Sequence, residues 1–303
     1  MEKYYRKGLI LIYPGYQNEA KIYQYNRIIE EFEKLGIKID TIKVDEIIIN
    51  IENNKTNLKL NEYDFCVQLV KDKYINVFLE KNNIRSFNTY EAIENCDDKF
   101  MTYCLLSDNN IKMPITISGI TNTGIENIDK VETSTKYKEY VEKKLGYPLI
   151  AKKSNSKGGH DIYKIDDRKA LDEICNKLNG SQYIFQEFIS SNIGKDIRTI
   201  IVAGKLVGSF MRVNENDFRS NISIGGKSMP YTVTEKYKSI AEKVAKVLKL
   251  DYCSVDFFIT NDEEPMICEV NADPALTSVE RISRTNVAKL YAEYIYNEIY
   301  EEE

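Results

Sequence analysis

The strongest restriction on the fold is the alternation of short apolar runs with helical periodicities over the first ninety or so residues. Lys7 to Tyr13 is an apolar run closed by Pro14-Gly15. Glu19 to Leu35 then carries Ile22, Tyr25, Ile28, Ile29 and Phe32 at helical spacing until Gly36 stops it. Ile37 to Val44 reads as a second strand, Tyr63 to Leu69 as a buried one, Lys73 to Lys81 as a helix and Ile84 to Phe87 as a further strand. Parallel strands need crossover connections, usually helical, so this order predicts a parallel sheet covered by helices. No Gly-x-Gly-x-x-Gly follows the first strand, and nothing here argues for a dinucleotide site.

Beyond that sheet the pattern turns to α+β. A helix is expected from about Asp98 to Asp108, a polar connector over Ser118 to Thr135, and a strand at Pro148 to Lys153 that leads into a glycine loop and another strand. A helix over Arg168 to Leu178 and a strand at Tyr183 to Ile189 follow. Asp196 to Val202 and Lys205 to Val213 form a hairpin about Ala203-Gly204. Thr232-x-x-Glu235 is a capping-box pattern, opening a helix with Tyr237, Ile240, Val244, Val247 and Leu248 on its apolar face. At 43% hydrophobic residues the chain can build a real core, while a net charge of −5 gives no basic field for a nucleic-acid backbone or an anionic membrane. The opening Met1 to Lys7 and the short run after it lack a cleavage site, which reads as a cytoplasmic start. Six cysteines without a Cys-x-x-Cys spacing, and a single histidine, His160, point to buried free thiols rather than zinc, with His160 on the surface.

Chemistry concentrates in two places. Cys253 to Ile259, a polar turn at Asn261 to Glu264, and Met266 to Asn271 read as two strands. Alternation puts Glu269 and Asn271 on one face, with Met266, Cys268 and Val270 on the other. Pairing across the turn brings Asp256 onto the face of Glu269 and Asn271, and such an all-oxygen cluster suits Mg2+ together with phosphate oxygens. The competing reading is a solvated edge hairpin, weakened because these acids sit inside otherwise apolar strands. Upstream, Lys152 ends a strand and Gly158-Gly159 follow six residues later, an arrangement that can offer a polyphosphate one cation and several unhindered N–H groups. Alone, a glycine pair between strands is more often a hairpin turn.

With these residues in view, the sequence resembles the ATP-grasp superfamily, and within it the RimK-like carboxylate–amine (alpha-L-glutamate) ligases, over roughly the whole chain and most clearly from Asp98 to Glu280. Cys96-Asp-Asp-Lys99 resembles the segment that opens the central domain, Lys152 the strand lysine on the ATP phosphates, and Asn155 to Asp161 the glycine loop that covers them. Phe185-Gln-Glu-Phe-Ile189 is similar to the hinge strand, so Gln186 to Ile189 are expected at the nucleotide, with Glu187 accepting from ribose or adenine and the Phe188-Ile189 backbone reading the adenine edge. Asp196-Ile-Arg198 resembles the next nucleotide-binding motif. Asp217-Phe-Arg-Ser-Asn221 followed by Gly225-Gly226 is the most specific match to the RimK-like branch, placing Arg219 and Asn221 at the phosphates and the reacting carboxylate. Asp256, Glu269 and Asn271 fall on the three metal ligands. The sequence departs from the pattern at Ala275, where Asn271-Ala-Asp-Pro-Ala replaces Asn-x-x-Pro-Gly, at Ile224 before the glycine pair, and at Asp161, which replaces a loop glycine.

The resemblance implies an ATP-grasp fold: an N-terminal parallel α/β domain over 1–97, a central subdomain over 98–185 and a C-terminal subdomain with the metal site over 186–303. It implies an ATP-dependent ligase that forms an acyl phosphate and then an amide, releasing ADP and phosphate, with glutamate as a family-level guess for one substrate. Arg219, Lys152 and Asn221 would carry the chemistry. Lys99, Lys152, Gly158, Gly159, Asp196 and Arg198 would help to bind the nucleotide. ATP and two Mg2+ ions are the implied cofactors, with Mn2+ as a substitute. The partners are a small-molecule or peptide carboxylate and an amine, with no nucleic acid or membrane and a homo-oligomer left open. Arg198, or Arg281 and Arg284, could hold a substrate carboxylate. A kinase that stops at phosphoryl transfer and a non-catalytic nucleotide-binding module are the alternatives.

Overall fold

The structure, a computed structural model, describes residues 6–15, 18–120, 132–156, 158–262 and 264–300. The first five residues of the start, 121–131 of the polar connector, Lys157 of the glycine loop and Glu263 of the turn lie outside the described residues.

The first sheet is built as the alternation requires. β1 (Lys7–Ile12) leads to α1 (Glu19–Lys34) and β2 (Lys38–Lys43). The hairpin β3 (Ile49–Glu52) and β4 (Lys55–Leu58) stands apart from the sheet, turning at Asn53-Asn54, both at positive φ. β5 (Phe65–Val67), α2 (Lys73–Lys81) and β6 (Arg85–Phe87) complete the unit, and the strands run parallel in the order β2-β1-β5-β6. β1 is buried along its middle because helices cover both faces. Asn18 caps α1 by accepting from the backbone N–H groups of Ala20 and Lys21, and Ile28 and Phe32 carry its buried stripe.

Next come α3 (Tyr90–Asp97) and α4 (Lys99–Leu106), so the expected single helix is preceded by another that ends one residue before its cap. The second sheet is antiparallel, in the order β7-β10-β8-β9, from β7 (Thr116–Ser118), β8 (Leu149–Lys153), β9 (Ile162–Ile165) and β10 (Tyr183–Glu187). α5 (Thr135–Leu145) and α6 (Arg168–Lys177) pack on it, and Leu149, Leu171 and Phe185 form its separate core. The third sheet, also antiparallel, has the order β13-β12-β11-β14-β15. Its strands are β11 (Lys195–Val202), β12 (Lys205–Val213), β13 (Lys227–Pro230), β14 (Tyr252–Phe258) and β15 (Met266–Asn271). The β11–β12 turn has both Ala203 and Gly204 at positive φ, as a tight two-residue hairpin demands.

α7 (Glu235–Val247) corrects the capping-box reading: Thr234 is the N-cap, so Glu235 is the first helical residue rather than the third and cannot reach back to a cap N–H. α8 (Leu276–Ser283) and α9 (Val287–Tyr300) close the described chain. They join the first and third sheets through one core, in which Ile10, Phe65 and Phe87 meet Ile200, Tyr252, Val279 and Tyr291. Asn88 rivets the same junction. Fully buried, it donates to the carbonyls of Tyr252 (2.7 Å) and Ala272 (2.8 Å) and accepts from the N–H groups of Asp251 (2.6 Å) and Tyr252 (3.1 Å). All six cysteines are free. Four are buried, whereas Cys104 is exposed and Cys268 half-buried, so burial does not cover the whole set. His160 is exposed. Among the described residues, no helix is long and apolar enough to cross a membrane.

Candidate active site

The second and third sheets face each other across a cleft enclosing about 830 Å³ of empty space, part of it open to solvent. Each of its polar groups is placed by an element of one wall or the other. Asp98 caps α4 by accepting from the N–H groups of Phe100 (2.8 Å) and Met101 (3.1 Å), which sets Lys99 at the first helical position, with its ammonium donating to the carbonyls of Ser156 (2.5 Å) and Ser154 (3.3 Å). Lys152 is 5% exposed on β8, its Nζ 5.8 Å from the centroid of the Tyr103 ring. Tyr103 in turn donates to the carbonyl of Cys268 on the opposite wall (2.6 Å), tying α4 to β15.

Two loops meet over the cleft. Arg219 is held in a two-pronged grip by Asp217 (Nε–Oδ1 2.9 Å, Nη2–Oδ2 2.7 Å), and its Nη1 donates to the carbonyl of Gly159 (2.7 Å). Ser223 donates to the carbonyl of Gly158 (2.6 Å). Gly159 has φ +80, and a Cβ there would lie 2.7 Å from Asn221 Oδ1, so backbone freedom and close approach both call for glycine. Asp161 replaces a glycine at φ +53, a left-handed conformation that aspartate tolerates better than most residues. Ala275 is the N-cap of α8 at φ −68, where no glycine is needed.

On the third sheet, strand register explains the polar row. Arg198 stands opposite Asp256, and Asp256 opposite Glu269, so all three project to the cleft side of their strands. Asp256 is fully buried; Arg198 holds its Oδ1 (Nε, 2.7 Å) and Oδ2 (Nη2, 2.6 Å), and Arg212 reaches Oδ2 from β12 (Nη2, 2.7 Å). Burial alone would raise the Asp256 pKa, but the two guanidiniums hold it below the usual carboxylate range. Arg212 also grips Asp196 through Nε (2.7 Å) and Nη2. One face assignment is corrected here. The register slips so that Ile267 opposes Phe257 while Glu269 opposes Asp256, leaving Cys268 as the extra residue of a bulge. Ile267 and Val270 therefore enter the core, and Cys268 lines the cleft beside Glu269. Burial pushes the Cys268 thiol up to about 12, which keeps it protonated.

Of the residues singled out from sequence, Lys99, Lys152, Gly158, Gly159, Gln186, Glu187, Phe188, Ile189, Asp196, Arg219, Asn221 and Glu269 line this one cleft. Arg198, Asp256 and Asn271 lie beside it in the sheet rather than on its surface. Glu187 here accepts from the N–H of Ile115 (2.8 Å), and Gln186 donates to Thr116 (2.8 Å). Arg212, Phe218 and Cys268 belong to the wall and were not expected there. Phe218 could have been suspected from its place inside Asp217-Phe-Arg219. Arg212 could have been suspected as an arginine in an otherwise apolar strand, where a charge needs a partner.

The chemistry of the donors fits a hard cation. Glu269 spends Oε1 on Lys99 (3.2 Å), and the side-chain nitrogen of Asn271 is buried without a hydrogen-bond partner. An amide flip would turn the Asn271 oxygen into that unsatisfied position. Asp256 uses three of the roughly four acceptor positions of a carboxylate. Among the described residues, no three of His, Cys, Asp and Glu gather as a metal cage, so an ion held here would take its other ligands from phosphate or water.

A cleft between two antiparallel sheets, backed by a parallel α/β unit, is the architecture of the ATP-grasp enzymes. The D-alanine–D-alanine ligase of Bacillus anthracis, complexed with ATP, superposes with a TM-score of 0.70 at 17% identity, covering 97% of this chain and 99% of that one. Residues 96–295 match the RimK-like ATP-grasp domain, and the chain belongs to that family of ATP-dependent carboxylate–amine ligases. N-acetylaspartylglutamate synthase A of Homo sapiens is 28% identical over 275 residues, covering 85% of this chain and 68% of its own length. The probable alpha-L-glutamate ligase of Shewanella pealeana is 26% identical over 289 residues, covering 90% of this chain and 60% of its own length. The chain thus spans about two thirds of the length of these relatives. Enzymes of this fold use ATP and a divalent metal.

Proposed function

We propose that this chain activates a carboxylate with ATP and couples it to an amine, with glutamate as one of the two substrates, in the cytoplasm. The observation that carries the reading is the convergence of Lys99, Lys152 and Arg219, from three different segments, on one cleft whose far wall presents Glu269. A triphosphate brings about four negative charges, and a second anion must approach its γ-phosphorus, so charge neutralisation and alignment are the main catalytic demands. Lys152 and Lys99 answer the first demand. Arg219 answers the second with a planar fork that can follow the transferring phosphoryl group, once it exchanges the Gly159 carbonyl for phosphate. Gly158 and Gly159 carry backbone N–H groups with no side chain of their own beside them, and Asn221 stands against Gly159, where the reacting carboxylate would sit. Gln186 to Ile189 form the hinge beside the base, and Asp196 and Arg198 stiffen the wall under the phosphates.

Asp256, Glu269 and Asn271 would hold Mg2+, two ions with Mn2+ as a substitute, supplying charge stabilisation to phosphoryl transfer. Glutamate is favoured because both curated relatives carry it in their names. A cytoplasmic location agrees with six free cysteines, since thiols persist in a reducing compartment. The test is ADP release with ATP and Mg2+, with and without pooled carboxylic and amino acids, followed by mass spectrometry of the products. Amine-dependent ADP and a new amide support the ligase, ADP without amine dependence supports a kinase, and nucleotide binding without ADP release supports a binding module.

A further inference from the structure

Arg212 has no part in the reaction as set out above, yet it is the most enclosed cation of the cleft wall, 4% exposed. It stands opposite Asp196 in the β11–β12 ladder, donates Nε to Asp196 Oδ1 at 2.7 Å, and shares Nη2 between Asp196 Oδ2 and Asp256 Oδ2, the latter at 2.7 Å. Arg198 grips Asp256 from the neighbouring position with two further bonds. Asp196, Arg212, Asp256 and Arg198 thus form a row of alternating charge across three adjacent strands, neutral as a set, in which Asp256 sits fully buried without an uncompensated charge.

The row also fixes geometry. A carboxylate gripped by one guanidinium can swing with that guanidinium's flexible stem, and Arg198 keeps 18% of its side chain exposed. Arg212 reaches the same carboxylate from a different strand, and Asp196 locks Arg212 in turn. The two-pronged grip of Arg198 and the single Nη2 bond of Arg212, from two strands, restrict rotation of the Asp256 carboxylate and leave about one acceptor position unspent. We propose that Arg212 is a positioning residue that holds Asp256 at the orientation in which this remaining lone pair faces the nucleotide-bound divalent cation. This rests on the reading of Asp256 as a metal ligand. Residues that orient ligands in this way are typically worth ten- to a hundredfold in metal affinity or activity.

The test is equilibrium binding of a fluorescent ADP analogue to the full chain, first with a chelator and then across a Mg2+ titration, for wild type, Arg212→Lys and Asp196→Asn. Arg212→Lys keeps the charge and loses the fork. Its metal-free nucleotide affinity should stay within about threefold of wild type, while the Mg2+ concentration giving half of the metal-dependent gain should rise about tenfold or more. Asp196→Asn, which preserves size and leaves Arg212 in place but less firmly locked, should shift the Mg2+ requirement in the same direction by less, and it carries the test if Arg212→Lys does not fold. An unchanged Mg2+ requirement in the folded variants would overturn the proposal. So would an equal loss of affinity with and without metal in Arg212→Lys, because that would mark Arg212 as a direct phosphate contact or a purely structural residue; Asp196→Asn is read on its Mg2+ requirement alone. If the wild type gains no nucleotide affinity from Mg2+ at all, Asp256 is not a metal ligand, and the role of Arg212 falls with it.

Discussion

Removing the amide of Asn88 should separate the first sheet from the strands that carry Asp256 and Asn271. Asn88 is fully buried and satisfies both donors and both acceptor positions of its carboxamide, on the carbonyls of Tyr252 and Ala272 and the N–H groups of Asp251 and Tyr252. At about 0.5–1.5 kcal/mol net per bond, four bonds place the cost of Asn88→Ala at about 2–6 kcal/mol, with the upper part applying if the orphaned backbone groups stay dry. Asn88→Asp is the sharper variant. It keeps an acceptor for the two N–H groups but sets a carboxylate oxygen against two carbonyls. Burial and that repulsion would raise the introduced group's folded pKa above its ordinary value near 4. A raised acid binds its proton more tightly when folded, so the variant's deficit should be smallest at low pH and widen as pH climbs past about 4. The assay is urea unfolding at several pH values, with midpoints compared at constant slope. A loss below about 1 kcal/mol for Asn88→Ala, or a deficit for Asn88→Asp that does not grow with pH, would refute the rivet.

Lys152→Met should weaken ATP binding roughly ten- to a hundredfold, the worth of a lost charge-assisted bond of about 1.5–3 kcal/mol, as read by calorimetric titration. Gly159→Ala places a Cβ 2.7 Å from Asn221 Oδ1 at φ +80; a strain of about 1–3 kcal/mol should open the loop and cut turnover about tenfold or more, with little change in the unfolding midpoint. Glu269→Gln keeps size and removes charge, so ATP should still bind while turnover falls by roughly two orders of magnitude or more, checked by nucleotide titration beside ADP release. Burial pushes the Glu31 carboxyl up, but hydrogen bonds from Asn286, Lys34 and Arg27 bring it down from 4.5 to about 2. Its stabilising contribution is therefore complete above about 4.5 and lost as pH falls toward 2, and Glu31→Gln should flatten the acid limb of a stability-against-pH curve.

Which parts of this molecule can be read from its sequence follows from the range of the forces involved. The parallel sheet was legible because its strands and helices differ in hydrophobic period, and the β11–β12 hairpin because Ala203-Gly204 supplies the positive φ that its turn needs. The adjacency of Asp256 and Glu269 follows from alternation plus pairing, and the register places them opposite each other. Alternation fails one residue earlier, at Cys268, because a bulge depends on how two strands meet rather than on either strand alone. Thr232-x-x-Glu235 misled because a cap is defined by backbone conformation, and Thr234 is equally able to sit there. Asn88 was invisible because it draws its partners from segments far away in the chain, and no local pattern signals a tertiary hydrogen bond.

In the proposed reaction a carboxylate is phosphorylated before an amine displaces the phosphate. Turning over the wild-type enzyme with ATP, Mg2+, glutamate and a pool of carboxylic acids, the carboxyl oxygens of both carrying a heavy isotope, and then reading the isotope in the released phosphate tests this order. An acyl-phosphate path transfers one carboxyl oxygen to each phosphate released with an amide. Phosphate that stays unlabelled while amide accumulates would contradict the mechanism, and ADP formed without either product would contradict the ligase assignment itself.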